Sequence, residues 1–232
     1  MNFLKFILRK TGLLSSFYAI INKYNPTFDC LSPGNLIALI QSIKVAKDGD
    51  YYEFGVYKGF DLWFMTKLAE EYNHPDMRFF GFDSFKGLPV PKSVDVEPDA
   101  FGNYFAKGCF SASLGFVLSN LKQHGTDLDK VTLIEGYFSE SLNKQIIENY
   151  GMRKASIILI DCDMYESTIQ VLNFIVDILQ EGTILLFDDW LLTDENKGEQ
   201  LAFKEWLEEN PSIRVKEFIT FGLGKGFVVN EL

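Results

Sequence analysis

Four aspartates follow two strongly apolar runs in the second half of the chain. Asp161 and Asp163 follow the first run, and Asp188 and Asp189 follow the second. Runs that are apolar at every position, rather than at every other position, are typical of central strands in a parallel sheet. Because the carboxyl ends of such strands meet at one edge, we expect four carboxylates around one crevice. So many negative charges require a cation or shared protons at neutral pH, and a hard divalent ion such as magnesium suits oxygen ligands.

A simpler role for these aspartates is to cap the helices that follow the strands, and this interpretation stays open. Four acids behind two fully apolar runs nevertheless favour one shared site. The histidines His74 and His124 lie in predicted connections away from the strand ends, and we expect both at the surface. A histidine ligand or base is therefore not expected. A Ser-His-Asp arrangement lacks support because the chain has no G-x-S-x-G turn.

A glycine-rich turn follows the first predicted strand. Glu53, Gly55 and Gly59 give the spacing E-x-G-x-x-x-G. Glycines at such a turn let the backbone approach a ligand closely before the next helix begins. Dinucleotide enzymes prefer G-x-G-x-x-G here, whereas a glutamate before the glycines is more typical of methyltransferases, where it helps hold the amino-acid end of S-adenosylmethionine. An oxidoreductase that binds a nicotinamide dinucleotide is the alternative for this crevice.

Another acid, Asp83, ends the second predicted strand. A carboxylate at this place can accept hydrogen bonds from both ribose hydroxyls of an adenosine. The alternative is that Asp83 is only a turn or helix-cap residue. Together with the glycine-rich turn upstream, its position favours ribose binding.

Short β-rich runs alternate with helical stretches after residue 50. The predicted strands are Tyr51–Val56, Arg78–Asp83, Val131–Glu135, Ser156–Asp161 and Thr183–Phe187. The predicted helices are Phe60–Glu71, Ser111–His124, Ser139–Tyr150, Glu166–Gln180 and Gly198–Glu209. This alternation indicates a parallel sheet covered on both faces, and the closely spaced runs Ile213–Thr220 and Gly226–Val229 indicate an antiparallel hairpin. The predicted fold class is α/β, a doubly wound, mostly parallel sheet with a C-terminal antiparallel hairpin.

One long segment, from Ser84 to Phe110, has no predicted element and is interrupted by Pro89, Pro91 and Pro98. A loop of this length in a compact domain commonly covers a site. We expect it to act as a lid, with disorder as the alternative.

The N-terminal part of the chain differs from the rest in charge. Residues 1–28 contain four basic residues and no acid, and a helix over Asp29–Lys47 is introduced by Ser32 and Pro33. The apolar residues are too interrupted for a spanning helix, and no small-residue cleavage site follows them. We therefore divide the chain into a helical extension, residues 1–47, and a domain, residues 48–232. The extension is expected to pack on its own domain or on a second subunit of a homo-oligomer; peripheral contact of residues 1–28 with an anionic membrane is the alternative.

The net charge and the cysteine content limit the kinds of partner and ligand that the chain can bind. The chain has 232 residues and a net charge of −10 at pH 7. Nucleic acid is a poor partner for such a chain, because binding phosphates requires a basic face. The three cysteines, Cys30, Cys109 and Cys162, are widely separated and show neither zinc-ligand spacing nor a disulfide framework. The cysteine pattern predicts a protein of the reducing cytoplasm.

Four segments together resemble the macrocin O-methyltransferase (TylF-like) family. They are YEFGVYKG at 52–59, GFDSFKGLP at 81–89, IDCDMYEST at 160–168 and FDDW at 187–190. The segment GEQLAF at 198–203 is similar to the helix that follows the family's last acidic motif. The resemblance covers roughly residues 50–230 and implies a Rossmann-like class I methyltransferase fold.

The resemblance also implies the ligands and the residues that bind them. That family methylates sugar hydroxyls with S-adenosylmethionine and magnesium. The implied metal ligands are Asp161, Asp188 and Asp189, and the implied general base is Asp163. The residues implied to bind the methyl donor are Glu53, Gly55, Tyr57, Gly59, Asp83, Ser84, Gly136, Tyr137, Phe138 and Asp161.

We therefore expect an O-methyltransferase that depends on S-adenosylmethionine and magnesium and modifies a hydroxyl of a sugar or glycan. Two alternatives stay open from the sequence. One is metal-dependent methylation of a phenolic or catechol-like small molecule. The other is a non-catalytic scaffold that binds the donor within a glycan-assembly complex.

Overall fold

The computed structural model describes residues 27–28, 34–96 and 105–232. In this part of the chain, seven strands form one sheet in the order β3-β2-β1-β4-β5-β7-β6. The strands are β1 (Asp50–Phe54), β2 (Phe79–Asp83), β3 (Val131–Glu135), β4 (Ala155–Ile160), β5 (Ile184–Phe187), β6 (Arg214–Phe221) and β7 (Gly224–Glu231). The pairs among β1 to β5 are parallel, whereas β7 pairs antiparallel with both β5 and β6. The predicted mostly parallel sheet with a C-terminal antiparallel hairpin is confirmed.

Helices connect the strands. They are α1 (Gly34–Val45), α2 (Phe60–Glu71), α3 (Leu114–Gln123), α4 (Phe138–Ser141), α5 (Lys144–Asn149), α6 (Tyr165–Ile175) and α7 (Gly198–Glu209). Short 3₁₀ turns occupy Ser93–Val96, Leu128–Lys130 and Val176–Ile178. Within the described residues, no helix has both the length and the apolar character needed to cross a bilayer.

The core lies on both faces of the sheet because the central strands present apolar side chains in both directions. All six residues of β4 are buried. Ile157 and Leu159 face a cluster that contains Trp63, while Ile158 and Ile160 face a second cluster on the opposite side. Alternate residues of a strand point to opposite faces, so a run that is apolar at every position fits a sheet with helices on both sides.

Strand order reverses beside β1, which pairs with β2 on one side and with β4 on the other. Chain segments that leave the strands there are held together by backbone hydrogen bonds. Gly55 N donates to Phe82 O at 2.9 Å, and Asp161 N donates to Phe54 O at 2.9 Å. This reversal is where ligands bind in open α/β sheets.

A buried ion-pair cluster lies at the amino-terminal ends of the central strands. The carboxylate of Asp50, at the start of β1, is fully buried and lies 2.6 Å from guanidinium nitrogens of both Arg78 and Arg153. Burial opposes ionisation of Asp50, but the hydrogen bonds from the two arginines outweigh it and lower the pKa of this carboxyl. The cluster therefore connects the amino-terminal ends of β1, β2 and β4, opposite the ends that border the strand reversal's ligand crevice.

Several sequence predictions differ from the structure in detail. The single helix predicted over 139–150 is two short helices, because the chain breaks at Leu142 and Asn143 caps α5 by accepting a hydrogen bond from Ile146 N at 3.1 Å. The helix predicted to reach Gln180 ends at Ile175.

Both histidines, expected at the surface, are half-buried. The His124 ring packs 4.2 Å from the Phe28 ring and also lies against Trp63. The start of the helix predicted from Asp29 and most of the proposed membrane-contact segment, residues 1–26, lie outside the described residues.

Candidate active site

A cavity of about 740 Å³ opens where the strand order reverses. Its volume is in the range of small-molecule sites. Nearly all the predicted site residues line it: Glu53, Gly55, Tyr57, Asp83, Ser84, Gly136, Tyr137, Phe138, Asp161, Asp163, Asp188 and Asp189. Gly59 is the exception. It immediately precedes α2 in the left-handed conformation (φ 81°) and packs against Val117, so it shapes the turn without lining the cavity.

The glycine-rich turn needs glycine at its first position. Gly55 has φ +92°, and a Cβ atom built there would overlap the carbonyl oxygen of Asp161. Tyr57, two residues later, also has a positive φ of 47°. Left-handed backbone is unfavourable for a residue with a side chain, and such strain often marks a ligand site.

The carboxylate of Asp83 stabilises this turn by accepting hydrogen bonds from its backbone. Its Oδ2 accepts hydrogen bonds from Val56 N at 2.8 Å and Tyr57 N at 3.0 Å, and its Oδ1 accepts one from Phe85 N at 2.7 Å. Burial raises the pKa of Asp83, and these hydrogen bonds counteract the rise. Carboxylate oxygens can accept more than one hydrogen bond each, so supporting the turn is compatible with the predicted contact to a ribose.

Ser84 stabilises the next turn. Its hydroxyl donates to Gly87 O at 2.8 Å and accepts from Lys86 N at 3.0 Å. On the other side of the cavity, Gly136 follows β3 and its N–H donates to Asp83 O at 3.0 Å. The end of β3 is thereby tied to the end of β2, which places Gly136, one of the predicted donor-binding residues, beside Asp83.

Three carboxylates converge at the ends of β4 and β5. Asp161, Asp163 and Asp189 each offer one oxygen, and these oxygens lie within 4.8 Å of one another. Burial and then the charges of the neighbouring aspartates raise the pKa of Asp161 and Asp189. Burial likewise raises the pKa of Asp163 to about 7. Because Asp189 Oδ2 is also buried without a hydrogen-bond partner among the described residues, the cluster fits a hard divalent cation.

Asp188 was predicted as a metal ligand together with Asp161 and Asp189, but it lies apart from the converging carboxylates. It is buried, and its charge is the second cause, after burial, of the raised pKa of Asp161. It is not one of the three residues whose oxygens converge. In this arrangement Asp163, the predicted base, is therefore closer to the shared position than Asp188 is.

Two acidic residues of the site were not predicted from the sequence. Glu199 in α7 is fully buried, and its Oε2 accepts a hydrogen bond from Asp189 N at 3.0 Å. Asp61 in the first turn of α2 lines the cavity. Asp61 follows the glycine-rich turn closely enough to have been a candidate, and Glu199 lies in the segment 198–203 that resembles the family, although neither was singled out as a site residue.

Both described parts of the 84–110 loop border the cavity. Leu88 N donates to Cys109 O at 3.0 Å, so the two sides of the loop are paired. The carboxylate of Asp95 accepts hydrogen bonds from Tyr165 N at 2.9 Å and Glu166 N at 3.2 Å, and so caps α6. Residues 97–104, in the middle of the loop, lie outside the described part. The described part of the loop before residue 97 is thereby anchored to the helix that follows Asp163.

The reversed parallel sheet, the glycine-rich turn and the antiparallel final hairpin define a Rossmann-like class I methyltransferase fold. Residues 34–212 match the family described as macrocin-O-methyltransferase (TylF). The chain belongs to this family, and the resemblance drawn from its motifs is confirmed.

Individual relatives are more distant. The chain is 26% identical over 148 residues to 8-demethyl-8-(2,3-dimethoxy-alpha-L-rhamnosyl)-tetracenomycin-C 4'-O-methyltransferase of Streptomyces olivaceus, a match that covers 62% of this chain and 54% of the relative. It is 26% identical over 147 residues to mycinamicin III 3''-O-methyltransferase of Micromonospora griseorubida, covering 62% and 56%. The chain thus matches only about half the length of these curated relatives. Among solved structures, the O-methyltransferase NovP superposes with a TM-score of 0.72 at 18% identity, covering 85% of this chain and 80% of that one.

Proposed function

We propose that this protein transfers the methyl group of S-adenosylmethionine to a hydroxyl of a sugar or glycan, with the help of magnesium. The observation that carries the proposal is the meeting of two features in one cavity. The glycine-rich turn lies at the end of β1, and the converging carboxylates lie at the ends of the neighbouring strands. Family membership and the sugar-directed names of both curated relatives support the choice of a sugar hydroxyl.

The donor lies, in this proposal, across the ends of β1, β2 and β3. Glu53, Gly55 and Tyr57 take its amino-acid end, and Asp83 with Ser84 borders its ribose. Gly136, Tyr137 and Phe138 flank its adenine. The sulfonium then points toward Asp161, because Gly55 and Asp161 are in backbone contact. This orientation brings the reactive methyl group to the acidic cluster, and holding the reactants in line accounts for much of the expected acceleration.

Asp161 and Asp189 would hold the magnesium ion with the neighbouring Asp188, and Asp163, whose carboxylate converges with those of Asp161 and Asp189, would be the base. The unpartnered oxygen of Asp189 and the raised pKa values of the cluster support a cation at this place. Magnesium, when bound, lowers the pKa of an acceptor hydroxyl. Glu199 fixes the backbone of Asp189 and so orients this ligand.

Methyl transfer forms a bond from the acceptor oxygen to the methyl carbon while the carbon–sulfur bond of the donor breaks. Asp163 takes the hydroxyl proton, and the donor leaves as neutral S-adenosylhomocysteine. The position of Asp163 supports this role, because one of its carboxylate oxygens lies within 4.8 Å of oxygens of Asp161 and Asp189, where the metal and the acceptor hydroxyl would be held. The lid loop keeps water out of the site while the proton moves.

Apolar residues that the 84–110 loop contributes to the cavity wall favour a second candidate acceptor. Leu88, Val90, Phe105 and Phe110 line this part of the wall. They suit an aromatic ring as well as the less polar face of a sugar. Methylation of a phenolic or catechol-like small molecule is therefore the second candidate for the same chemistry.

A turnover assay with both classes of acceptor tests the proposal. Purified protein is incubated with S-adenosylmethionine and panels of sugar nucleotides, free glycosides and catechols, and release of S-adenosylhomocysteine is measured. We expect turnover with a sugar acceptor, its loss in excess chelator and its recovery with magnesium. Full activity in chelator would remove the metal from the reaction. Turnover with catechols alone would favour the second candidate. Cytoplasmic location and a homo-oligomer stay predictions from the sequence.

A further inference from the structure

A buried carboxylate oxygen in the cavity wall lacks a partner. Asp61 follows the glycine-rich turn, in the first turn of α2. Its Oδ2 accepts a hydrogen bond from Asn35 Nδ2 at 3.0 Å. Its Oδ1 is buried and has no hydrogen-bond partner among the described residues. A buried acceptor left without a donor is unfavourable, so the position calls for a ligand that carries N–H or O–H groups.

The surroundings of Asp61 favour a positively charged ligand. Glu53 lines the same cavity, is 1% exposed and accepts a hydrogen bond from Tyr51 Oη at 2.6 Å. Burial and then the charge of Asp61 raise the pKa of Glu53. The carboxylates of Glu53 and Asp61 repel each other when both are ionised, so a positively charged ligand near both would stabilise them.

A divalent metal ion fits this place poorly. Among the described residues, the acids whose oxygens come close enough to share one ion are Asp161, Asp163 and Asp189, and neither Glu53 nor Asp61 is among them. An ammonium group fits better, because it has three N–H donors that can point to several acceptors at once. The sulfonium of the donor has no such hydrogens.

We propose that Asp61, together with Glu53, binds the α-ammonium group of the methionine part of S-adenosylmethionine, and that Asn35 positions Asp61 for this contact. The inference rests on the proposed function, since it concerns the same donor site. It adds a binding residue in α2 and a positioning residue in α1.

The contact gives α1 a part in donor binding. Asn35 is fully buried and lies in the segment that the sequence assigns to an extension. The preceding residues also reach the donor turn: Asn120 Nδ2 donates to both Thr27 O at 3.0 Å and Lys58 O at 2.9 Å. The end of the extension and the glycine-rich turn are therefore joined at two separate points.

Two ligands that differ in the ammonium group test the proposal. S-adenosylhomocysteine has the amino-acid part, whereas 5′-methylthioadenosine lacks it, and neither has a charged sulfur. With Asp61→Asn, calorimetry should show S-adenosylhomocysteine binding about 10- to 100-fold more weakly, the effect expected for a lost charged hydrogen bond. Binding of 5′-methylthioadenosine should change less than about twofold, since the expected contact is absent from it. Asn35→Ala should give the same selective loss, but smaller.

Controls separate this role from a structural one. Asp48→Asn removes an exposed carboxylate before β1, at the opposite edge of the sheet, and should leave both affinities unchanged. Circular dichroism and thermal unfolding verify that each variant is folded; if Asp61→Asn does not fold, Asn35→Ala decides. Equal losses for both ligands, or no loss for either, would overturn the assignment of Asp61. If the unaltered protein binds neither ligand, the proposed function itself fails instead.

Discussion

Asp163 differs from the other carboxylates of its cluster in backbone conformation. It has a φ of 63°, in the left-handed region, while one of its carboxylate oxygens lies within 4.8 Å of oxygens of Asp161 and Asp189. A non-glycine residue is held there only when the surroundings over-determine its position, and such residues cluster at active sites. The strain aims this one carboxylate at the place where the other acids converge. A group so placed suits proton transfer better than it suits a purely structural role.

Replacement of Asp163 by asparagine tests its role as the base. Asparagine keeps the shape of the side chain but cannot take a proton, so we expect kcat to fall by about 10²- to 10⁴-fold. The Kd for S-adenosylhomocysteine should stay within about threefold, since the proposed contact is with the acceptor hydroxyl. Calorimetry and steady-state kinetics measure the two quantities. A parallel loss of donor affinity would show that Asp163 belongs to the donor site.

At the scale of the elements, the sheet explains why some site residues were predictable. The apolar runs of β4 and β5 fix where these strands end, and the ends of parallel strands share one edge. Asp161 and Asp189 could therefore be placed from the sequence. Glu199 could not, because whether a helical glutamate points toward the sheet depends on how α7 packs, which its own spacing does not specify.

Contacts between segments far apart in the chain are the second kind of feature that the sequence does not predict. Asp83 was expected to bind a ribose, with a turn or helix-cap role as the alternative, and in the structure it accepts hydrogen bonds from two amides of the glycine-rich turn. Asp95 caps a helix that begins 70 residues later. Hydrogen bonds of this kind depend on the final positions of two loops, and the residue types alone do not define them.

Gly55→Ala tests the turn that joins β1 to α2. A methyl group there would overlap the Asp161 carbonyl oxygen, and the positive φ adds strain. We expect a loss of about 2 kcal/mol or more in the free energy of unfolding, together with loss of donor binding. Gly115→Ala in α3 is the matched control, since nothing lies within 4 Å of its Cβ position. It should be neutral or stabilising by up to about 1 kcal/mol. Urea denaturation measures both, and a neutral Gly55→Ala variant would contradict this geometry.

At the scale of the whole molecule, the acids at the two ends of the central strands change the stability of the fold with pH in opposite directions. Asp50 has a lowered pKa, so the stability that it contributes is present above its unfolded pKa and lost as the pH falls. The carboxylates of the cavity have raised pKa values. Their contribution is fully present below the unfolded pKa, about 4, and is lost as the pH rises through their folded values. Ionisation of Asp50 thus makes the protein more stable at neutral pH than in acid, whereas ionisation of the cavity carboxylates makes it less stable.

The raised pKa values of the cavity carboxylates predict how the melting temperature depends on pH when the protein is kept in chelator. Asp163 and Asp61 each have a pKa of about 7 in the folded chain. The melting temperature should therefore fall as the pH rises from 5 to about 8, because the ionised forms are favoured only after unfolding. Magnesium binds the ionised carboxylates, so it should raise the melting temperature more at pH 8 than at pH 5. Asp189→Asn removes one charge from the cluster and should reduce both the pH dependence and the magnesium effect. Scanning calorimetry across this pH range measures them, and a melting temperature that rises with pH in chelator would show that the cluster is not held under repulsion.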